Sequence, residues 1–280
     1  MANYKTKLNY YWLAGLIDGD GYFYLSKTNY GCLELTVASA DRPMLEDIRK
    51  EFNGRIKPRA GTASVRLRVH NKVGLLALLH AVNGRLQNSV RQKQFETVAL
   101  AYGVSVKPTQ AFSWQNGYFS GLFDADGKIT ISVKNLQFKS HSTIPKTYGK
   151  IMRLTHSSNS QLIIGVTSKY RHCVDFLCTN RFGKISYDRS QNGYYTWYVT
   201  SQEDIGKLLQ YFEMYPPQSS RKTRVNLVPA YFNFKKKFAS FAFAAKAKSK
   251  GSDQDLCNSQ SKAYRIKWST FVKAWFEVCN

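Results

Sequence analysis

Residues 12–23 read WLAGLIDGDGYF, and residues 118–129 read YFSGLFDADGKI. In each, an apolar run broken by small residues ends in two aspartates separated by a single small residue: Asp18 and Asp20 in one, Asp124 and Asp126 in the other. The repetition extends well past these segments. VASADRPMLEDIRKEFNGRI (37–56) lies without a gap against VTSKYRHCVDFLCTNRFGKI (166–185), matching Val37 with Val166, Ser39 with Ser168, Gly54 with Gly183 and Ile56 with Ile185. Val69, Leu78, Leu79, Ser89 and Arg91 then meet Val199, Leu208, Leu209, Ser219 and Arg221. Two copies of one domain stand in tandem, and the simplest arrangement relates them by an internal pseudo-twofold.

Periodicity gives each copy the order helix, two strands, helix, two strands, helix. In the first copy the expectation is a helix over 9–19 opened by the cap-type residue Asn9. Strands over 22–28 and 32–39 turn at Asn29-Tyr30-Gly31, an amphipathic helix covers 42–53, strands cover 55–59 and 64–70, and helices cover 72–82 and 90–101. The second copy repeats this order with a longer excursion near 135–160. The expected organisation is an N-terminal domain over 1–102, a linker over 103–114, a C-terminal domain over 115–235 and an extension over 236–280. Across the start of that extension, FKKKFASFAFAAKAK (234–248) precedes a flexible-looking stretch and a closing helix ending near 278. The class is α+β with two αββαββα units.

Charge restricts the partner. Forty-one basic against 18 acidic residues give a net charge of +23, and both halves share it, residues 1–105 carrying 15 basic and 8 acidic side chains. Such an excess points to a polyanion, nucleic acid before an anionic membrane. No apolar run reaches the ~20 residues that span a bilayer, and the N-terminal residues lack the apolar core of a signal peptide. The expectation is a soluble intracellular protein, with a mitochondrion or chloroplast as a compatible compartment. Five cysteines, never spaced CxxC, argue against a disulfide framework and a zinc ribbon.

On a helix, Trp12, Gly15 and Gly19 share one side, while Tyr10, Leu13 and Ile17 share the other. Both sides are apolar, so this helix is sandwiched. The small residues Gly15 and Gly19, with Gly121 and Ala125 in the second copy, allow two motif helices to pack backbone to backbone about the dyad. Asp20 and Asp126 then fall at adjacent helix C-termini, where the macrodipole disfavours anions. Something positive is needed between them, and a hard divalent cation such as Mg2+ suits oxygen ligands completed by water and phosphate. Asp18 and Asp124, two residues earlier, are assigned to capping or folding.

WLAGLIDGDG and YFSGLFDADG resemble the paired motifs of the LAGLIDADG homing endonucleases in their single-chain, two-repeat form, and the likeness covers roughly residues 8–235. The resemblance implies saddle-shaped sheets lying along a DNA duplex and metal-dependent hydrolysis of both strands across the minor groove, at a long asymmetric site. It implies a monomer whose partner is double-stranded DNA, with Mg2+ held by Asp20 and Asp126 beside Gly19 and Ala125, and Ca2+ or Mn2+ able to substitute. Members of the family carry a polar residue near the end of the second strand and a Lys near the start of the last helix. At those positions stand Ser39 and Ser168, then Arg91 and Arg221 with Lys93 and Lys222 close by, so the catalytic set departs from the pattern. An Arg stabilises phosphate charge but shuttles protons poorly.

Strand alternation selects the nucleic-acid face. Tyr22, Tyr24, Ser26 and Thr28 share one side of the first strand, and Arg66, Arg68 and His70 one side of the fourth. In the second copy the same logic gives Lys128, Thr130, Ser132 and Lys134, then Thr196, Tyr198 and Thr200. A ribbon bearing such donors can enter a major groove.

Several competing readings are weaker. A calcium loop needs a ligand where Tyr22 stands and a closing acid that is missing, and an aspartic protease places its acids on β-loops. His70, His156 and His172 have no partners at metal-ligand spacing. The phenylalanines after residue 237 suit burial better than a membrane. The serious rival is an intron RNA maturase of the same fold, served equally well by basic charge and aromatics. Retention of both acids favours cleavage.

Overall fold

A computed structural model describes residues 8–133, 151, 154, 160–179, 181–190, 193–247 and 254–277. The N-terminal repeat follows the expected order. Helix α1 (Tyr10–Asp20) is capped by Asn9, whose side chain accepts from the backbone N–H of Tyr11 and Trp12. Then come β1 (Gly21–Leu25), β2 (Gly31–Ala38), a short 3-10 turn at Ser39–Asp41, α2 (Arg42–Glu51), β3 (Arg55–Pro58), β4 (Ser64–Val69), α3 (Lys72–Val82) and α4 (Ser89–Ala101). Asn71 and Asn88 cap the last two helices by accepting from Gly74 N and Val90 N.

The first hairpin turns earlier than the sequence suggested. Ser26 Oγ accepts from Tyr30 N at 2.9 Å and meets Thr28 Oγ1 at 2.9 Å, while Asn29 takes a left-handed φ of 56° that asparagine tolerates. The turn therefore spans Ser26–Tyr30 and Gly31 opens β2. A Cβ at Gly31 would press on Tyr102 and Val98, which explains the small residue there.

The second repeat contributes α5 (Tyr118–Asp126), β5 (Gly127–Val133), β6 (Ser160–Ser168), α6 (His172–Asp175), β7 (Lys184–Asp188), β8 (Tyr194–Val199), α7 (Gln202–Met214), α8 (Arg221–Ala247) and α9 (Gln254–Glu277). Two differences from the first repeat stand out. The counterpart of α2 shrinks to the four residues of α6, and the last helix runs unbroken to Ala247 with Pro229 inside it. The stretch from Gln254 onward, read from composition as flexible, is helical and continuous with the closing helix. Most of the 135–160 excursion lies outside the described residues.

The two sheets are antiparallel and equivalent in topology, with orders β1-β2-β4-β3 and β5-β6-β8-β7. In the first, Leu33, Leu35 and Val37 pair with Val69, Leu67 and Val65, and all six are buried on one face. Alternation thus separates an apolar face from a polar one along β2 and β4.

By internal contacts the chain forms two compact units. One comprises the chain up to Lys128 together with Ile164–Lys222, and the other comprises Ile129–Ile163 together with the chain from Thr223. The first holds α1 and α5 at its centre, with Trp12, Leu13, Leu16, Ile17, Phe119 and Phe123 almost entirely buried. The second has its own aromatic core of Tyr231, Trp268, Phe271 and Trp275, in which Trp268 Nε1 donates to Leu154 O at 2.8 Å. No helix of the described residues is long and apolar enough to cross a membrane.

Candidate active site and nucleic-acid face

The packing of α1 on α5 positions everything else. A Cβ built on Gly15 would collide with the backbone of Tyr118 and Leu122, and one on Gly121 with the backbone of Trp12 and Leu16. Backbones this close leave no room for a side chain, and the glycines are there for that reason. One turn further on, a Cβ at Gly19 would strike Ala125 and stand 3.1 Å from Asp126 Oδ2. The two helices therefore end side by side, with Asp20 and Asp126 as their last residues and Gly21 and Gly127 turning extended into the strands.

The carboxylates at this junction resist ionisation. Burial, then the charge of Asp126, then that of Asp41 push Asp20 up to about 7 against the opposing pull of Arg221 and Arg91. Burial raises Asp126 to about 6 against the same two arginines. Two helix C-termini add negative potential to the spot. Hard oxygen donors meeting at a point of excess negative charge are what a hydrated divalent cation needs, and one or two carboxylates completed by water and phosphate suit Mg2+. Among the described residues no cluster of three His, Cys, Asp or Glu side chains offers a competing all-protein site.

Asp18 and Asp124 face away from that junction and hold the starts of the final helices. Asp18, 3% exposed, accepts at Oδ2 from Gln87 N (2.6 Å), Asn88 N (3.1 Å) and the Tyr118 hydroxyl (2.5 Å). Asp124 accepts from Gln218 N, Ser219 N and Ser219 Oγ ahead of α8, and from Trp12 Nε1 at 2.8 Å. Burial raises both carboxyls, Asp18 to about 7, while these donors oppose it.

The two arginines are not equivalent. Arg221 donates through Nε to Gly127 O (2.7 Å), through Nη1 to Asp124 O (2.5 Å) and through Nη2 to Ala125 O (2.8 Å), closing the C-terminus of α5. Arg91 donates only to Gln94 Oε1 at 3.2 Å, and its Nε is buried without a partner. The carbonyl of Asp18, the counterpart of Asp124 O, is taken by the Asn88 side chain instead. Lys93 and Lys222 are exposed. Ser39 sits exposed in the 3-10 turn, whereas Ser168 ends β6 and lines a cavity of about 330 Å3 with Asp126, Arg91, Lys169 and Cys173.

Asp41 was not singled out from the sequence. It is 6% exposed and accepts from Ser220 N at 2.6 Å, so the first repeat holds the start of α8. Reciprocally, His172 Nε2 lies 3.0 Å from Ser89 Oγ at the start of α4. These contacts join residues 179 and 83 positions apart, and no local pattern announces them.

On the polar face of the first sheet Tyr22 is 50% exposed and stacks on Tyr24 with rings 4° from parallel. Ser26 and Thr28 fall in the turn, and His70 follows the end of β4 against Tyr30. Arg66 and Arg68 share that face with Glu34, which pairs with both. Register adds Arg55 opposite Arg68 and Lys57 opposite Arg66, two exposed donors that the alternation Arg-Ile-Lys could have revealed. In the second repeat Thr130 is exposed and Lys128, Ser132, Tyr198 and Thr200 are half-buried. Thr196, expected at the surface, is 7% exposed because Lys128 Nζ (3.3 Å) and Thr167 Oγ1 (3.4 Å) cover its hydroxyl. Lys134 lies outside the described residues.

The family model of the LAGLIDADG endonucleases matches residues 13–102 and 119–236, and the chain belongs to that family. An intron-encoded RNA maturase of Saccharomyces cerevisiae is 34% identical over 221 residues, 79% of this chain and 32% of that protein. The chain thus spans about a third of the maturase's length. An intron-encoded DNA endonuclease of Dictyostelium discoideum is 29% identical over 266 residues, 95% of this chain and 74% of that protein. Among solved structures, the LAGLIDADG meganuclease I-AabMI bound to uncleaved DNA superposes with a TM-score of 0.52 at 17% identity, covering 94% of this chain and 98% of that one. At that identity the likeness is one of fold.

Proposed function

We propose that this chain is a site-specific homing endonuclease that makes double-strand breaks in DNA by divalent-metal-dependent phosphodiester hydrolysis across the minor groove. The observation that carries the reading is the pair Asp20 and Asp126, side by side at the ends of two helices packed backbone to backbone. One chain supplies both acids, so a monomer has one for each strand, on either side of the dyad.

In this reading Asp20 and Asp126 hold Mg2+, beside the backbone of Gly19 and Ala125. Held there, such ions would supply neutralisation of phosphate charge and activation of water. The protein's own part is positional. Asp18 and Asp124 fix α4 and α8, which present Arg91 and Arg221 beside the acids. Arg91, whose guanidinium is held by one bond to Gln94 where Arg221 is held by three, is the cation assigned to a scissile phosphate. Lys93 and Lys222, exposed on the same helices, and Ser168, which borders the Asp126 side, are assigned supporting roles in this reading. The polar faces of the two sheets, with the stacked tyrosines and the basic residues of β3 and β4, lie along a long asymmetric site, phosphate contacts setting position and base edges setting sequence.

Asp20→Asn tests this. It keeps shape and removes charge, so it should abolish cutting of a duplex selected from a randomised library while binding in Ca2+ persists. Undiminished cleavage overturns the assignment.

A second reading rests on the similarity to the yeast maturase, a protein named for RNA: the same chain assists the splicing of its intron. Competition between the selected duplex and a structured intron RNA separates the two uses. An organellar intron, mitochondrial or chloroplast, is the compatible setting.

A further inference from the structure

The polar face of the first sheet carries one acid among the described residues, and it stands in the middle. Register sets Glu34 between Tyr22 of β1 and Arg68 of β4. Its carboxylate is 16% exposed, and each oxygen takes a different guanidinium: Oε1 accepts from Arg68 Nε at 2.5 Å, and Oε2 lies 3.4 Å from Arg66 Nη1. An acid in the centre of a surface meant for a polyanion weakens every non-specific contact there. Electrostatic attraction alone gives no reason for it.

We infer that Glu34 determines sequence specificity, holding Arg66 and Arg68 as a fixed pair of guanidinium ends that read two closely spaced G·C base pairs in the half-site beneath the first repeat. This rests on the proposal that the chain binds duplex DNA through its sheets. Arg68 spends its Nε–Nη2 edge on Glu34 Oε1, which leaves Nη1 and the outer N–H of Nη2 to donate to O6 and N7 of a guanine, the pairing an arginine fork fits best. Arg66 stands two residues along the same strand, roughly 7 Å away at ~3.3 Å per residue. Base pairs repeat every ~3.4 Å, so the two guanines fall within two steps of each other. Free arginines would find phosphates wherever they met them. Arginines tied to a carboxylate offer geometry in place of reach, trading general affinity for discrimination. Glu34 acts through the arginines and is a positioning residue.

The test is selection from a randomised duplex library in EDTA, with wild type, Glu34→Gln and Arg68→Lys, alongside titration of an unrelated duplex. The wild type should enrich two G·C pairs no more than two steps apart, each favoured by roughly 5- to 150-fold. Glu34→Gln should lose that preference, keep the preferences at other positions, and bind the unrelated duplex severalfold more tightly. Arg68→Lys keeps the charge and loses the fork, so one of the two preferences should vanish while salt-sensitive affinity stays. Glu34→Gln selecting the same bases as strongly as wild type overturns the inference, as does a wild-type site without such a pair. A wild type that enriches no sequence overturns the DNA-reading proposal as well, and so is told apart from failure of Glu34 alone.

Discussion

Trp12 Nε1 donates to Asp124 Oδ2 at 2.8 Å across the α1–α5 pair, and the pseudo-equivalent Tyr118 hydroxyl donates back to Asp18 Oδ2 at 2.5 Å. Each motif helix therefore completes the cap that the other's first aspartate places on its own final helix. Trp12→Phe and Tyr118→Phe each delete one donor to a buried carboxyl while keeping an aromatic ring in place. Each should cost about 1–3 kcal/mol in urea unfolding. A loss below a few tenths in both variants would mean that the caps do not depend on the partner helix.

The glycine seam makes a sharper demand. Gly15→Ala drives a methyl into the backbone of Tyr118 and Leu122, which cannot swing aside as a side chain can. Overpacking of this kind costs at least ~1–3 kcal/mol. Gly206, inside α7, has nothing within 4 Å of its would-be Cβ, so Gly206→Ala should stabilise by up to ~1 kcal/mol through helix propensity. Thermal melts of the two variants should move in opposite directions. Parallel shifts would contradict the close approach of α1 and α5.

The seam is legible in the sequence because small residues spaced four apart on an apolar helix serve close backbone approach and little else, and the duplication identifies the partner helix. Strand alternation likewise locates the apolar face of both sheets. What escapes the sequence is non-local. Asp41 caps Ser220 across 179 positions, Glu34 meets its arginines only through strand register, and Thr196 is buried by a lysine from a distant strand. The shortening of α2 to the four residues of α6 is hidden because the ungapped alignment over 166–185 implies equal lengths. Turn chemistry at Ser26, a hydroxyl accepting a backbone N–H four residues on, moves the hairpin by a few residues.

Matched positions suggest that Arg91 and Arg221 do the same work, and their contacts divide it. Arg221→Ala removes three donors, two from C-terminal carbonyls of α5 and one from Gly127 just past it, with the favourable charge–dipole interaction as well, and should destabilise the fold by about 2–3 kcal/mol. Arg91→Ala removes one bond to Gln94 and should change stability by less than ~1 kcal/mol while slowing cleavage of the selected duplex. Calorimetry paired with a plasmid-nicking assay checks both. Equal melting temperatures for the two variants would mean that the carbonyl clamp contributes nothing to holding α5.

The basic residues of β3 make the last case. Arg55 and Lys57 are exposed, lie beside Arg68 and Arg66 in register, and have no acid opposite them, unlike the β4 arginines held by Glu34. Side chains free in this way follow the phosphates. Log K for duplex binding should fall with log salt at about −0.9 per neutralised phosphate, and Lys57→Ala should reduce that slope by about 0.9. Its loss of affinity should be uniform across sequences, since a phosphate contact carries no base information. Titrations of wild type and Lys57→Ala at several salt concentrations, against a selected and an unrelated duplex, give both quantities. An unchanged slope would take Lys57 off the backbone, and a sequence-dependent loss would make it a base reader.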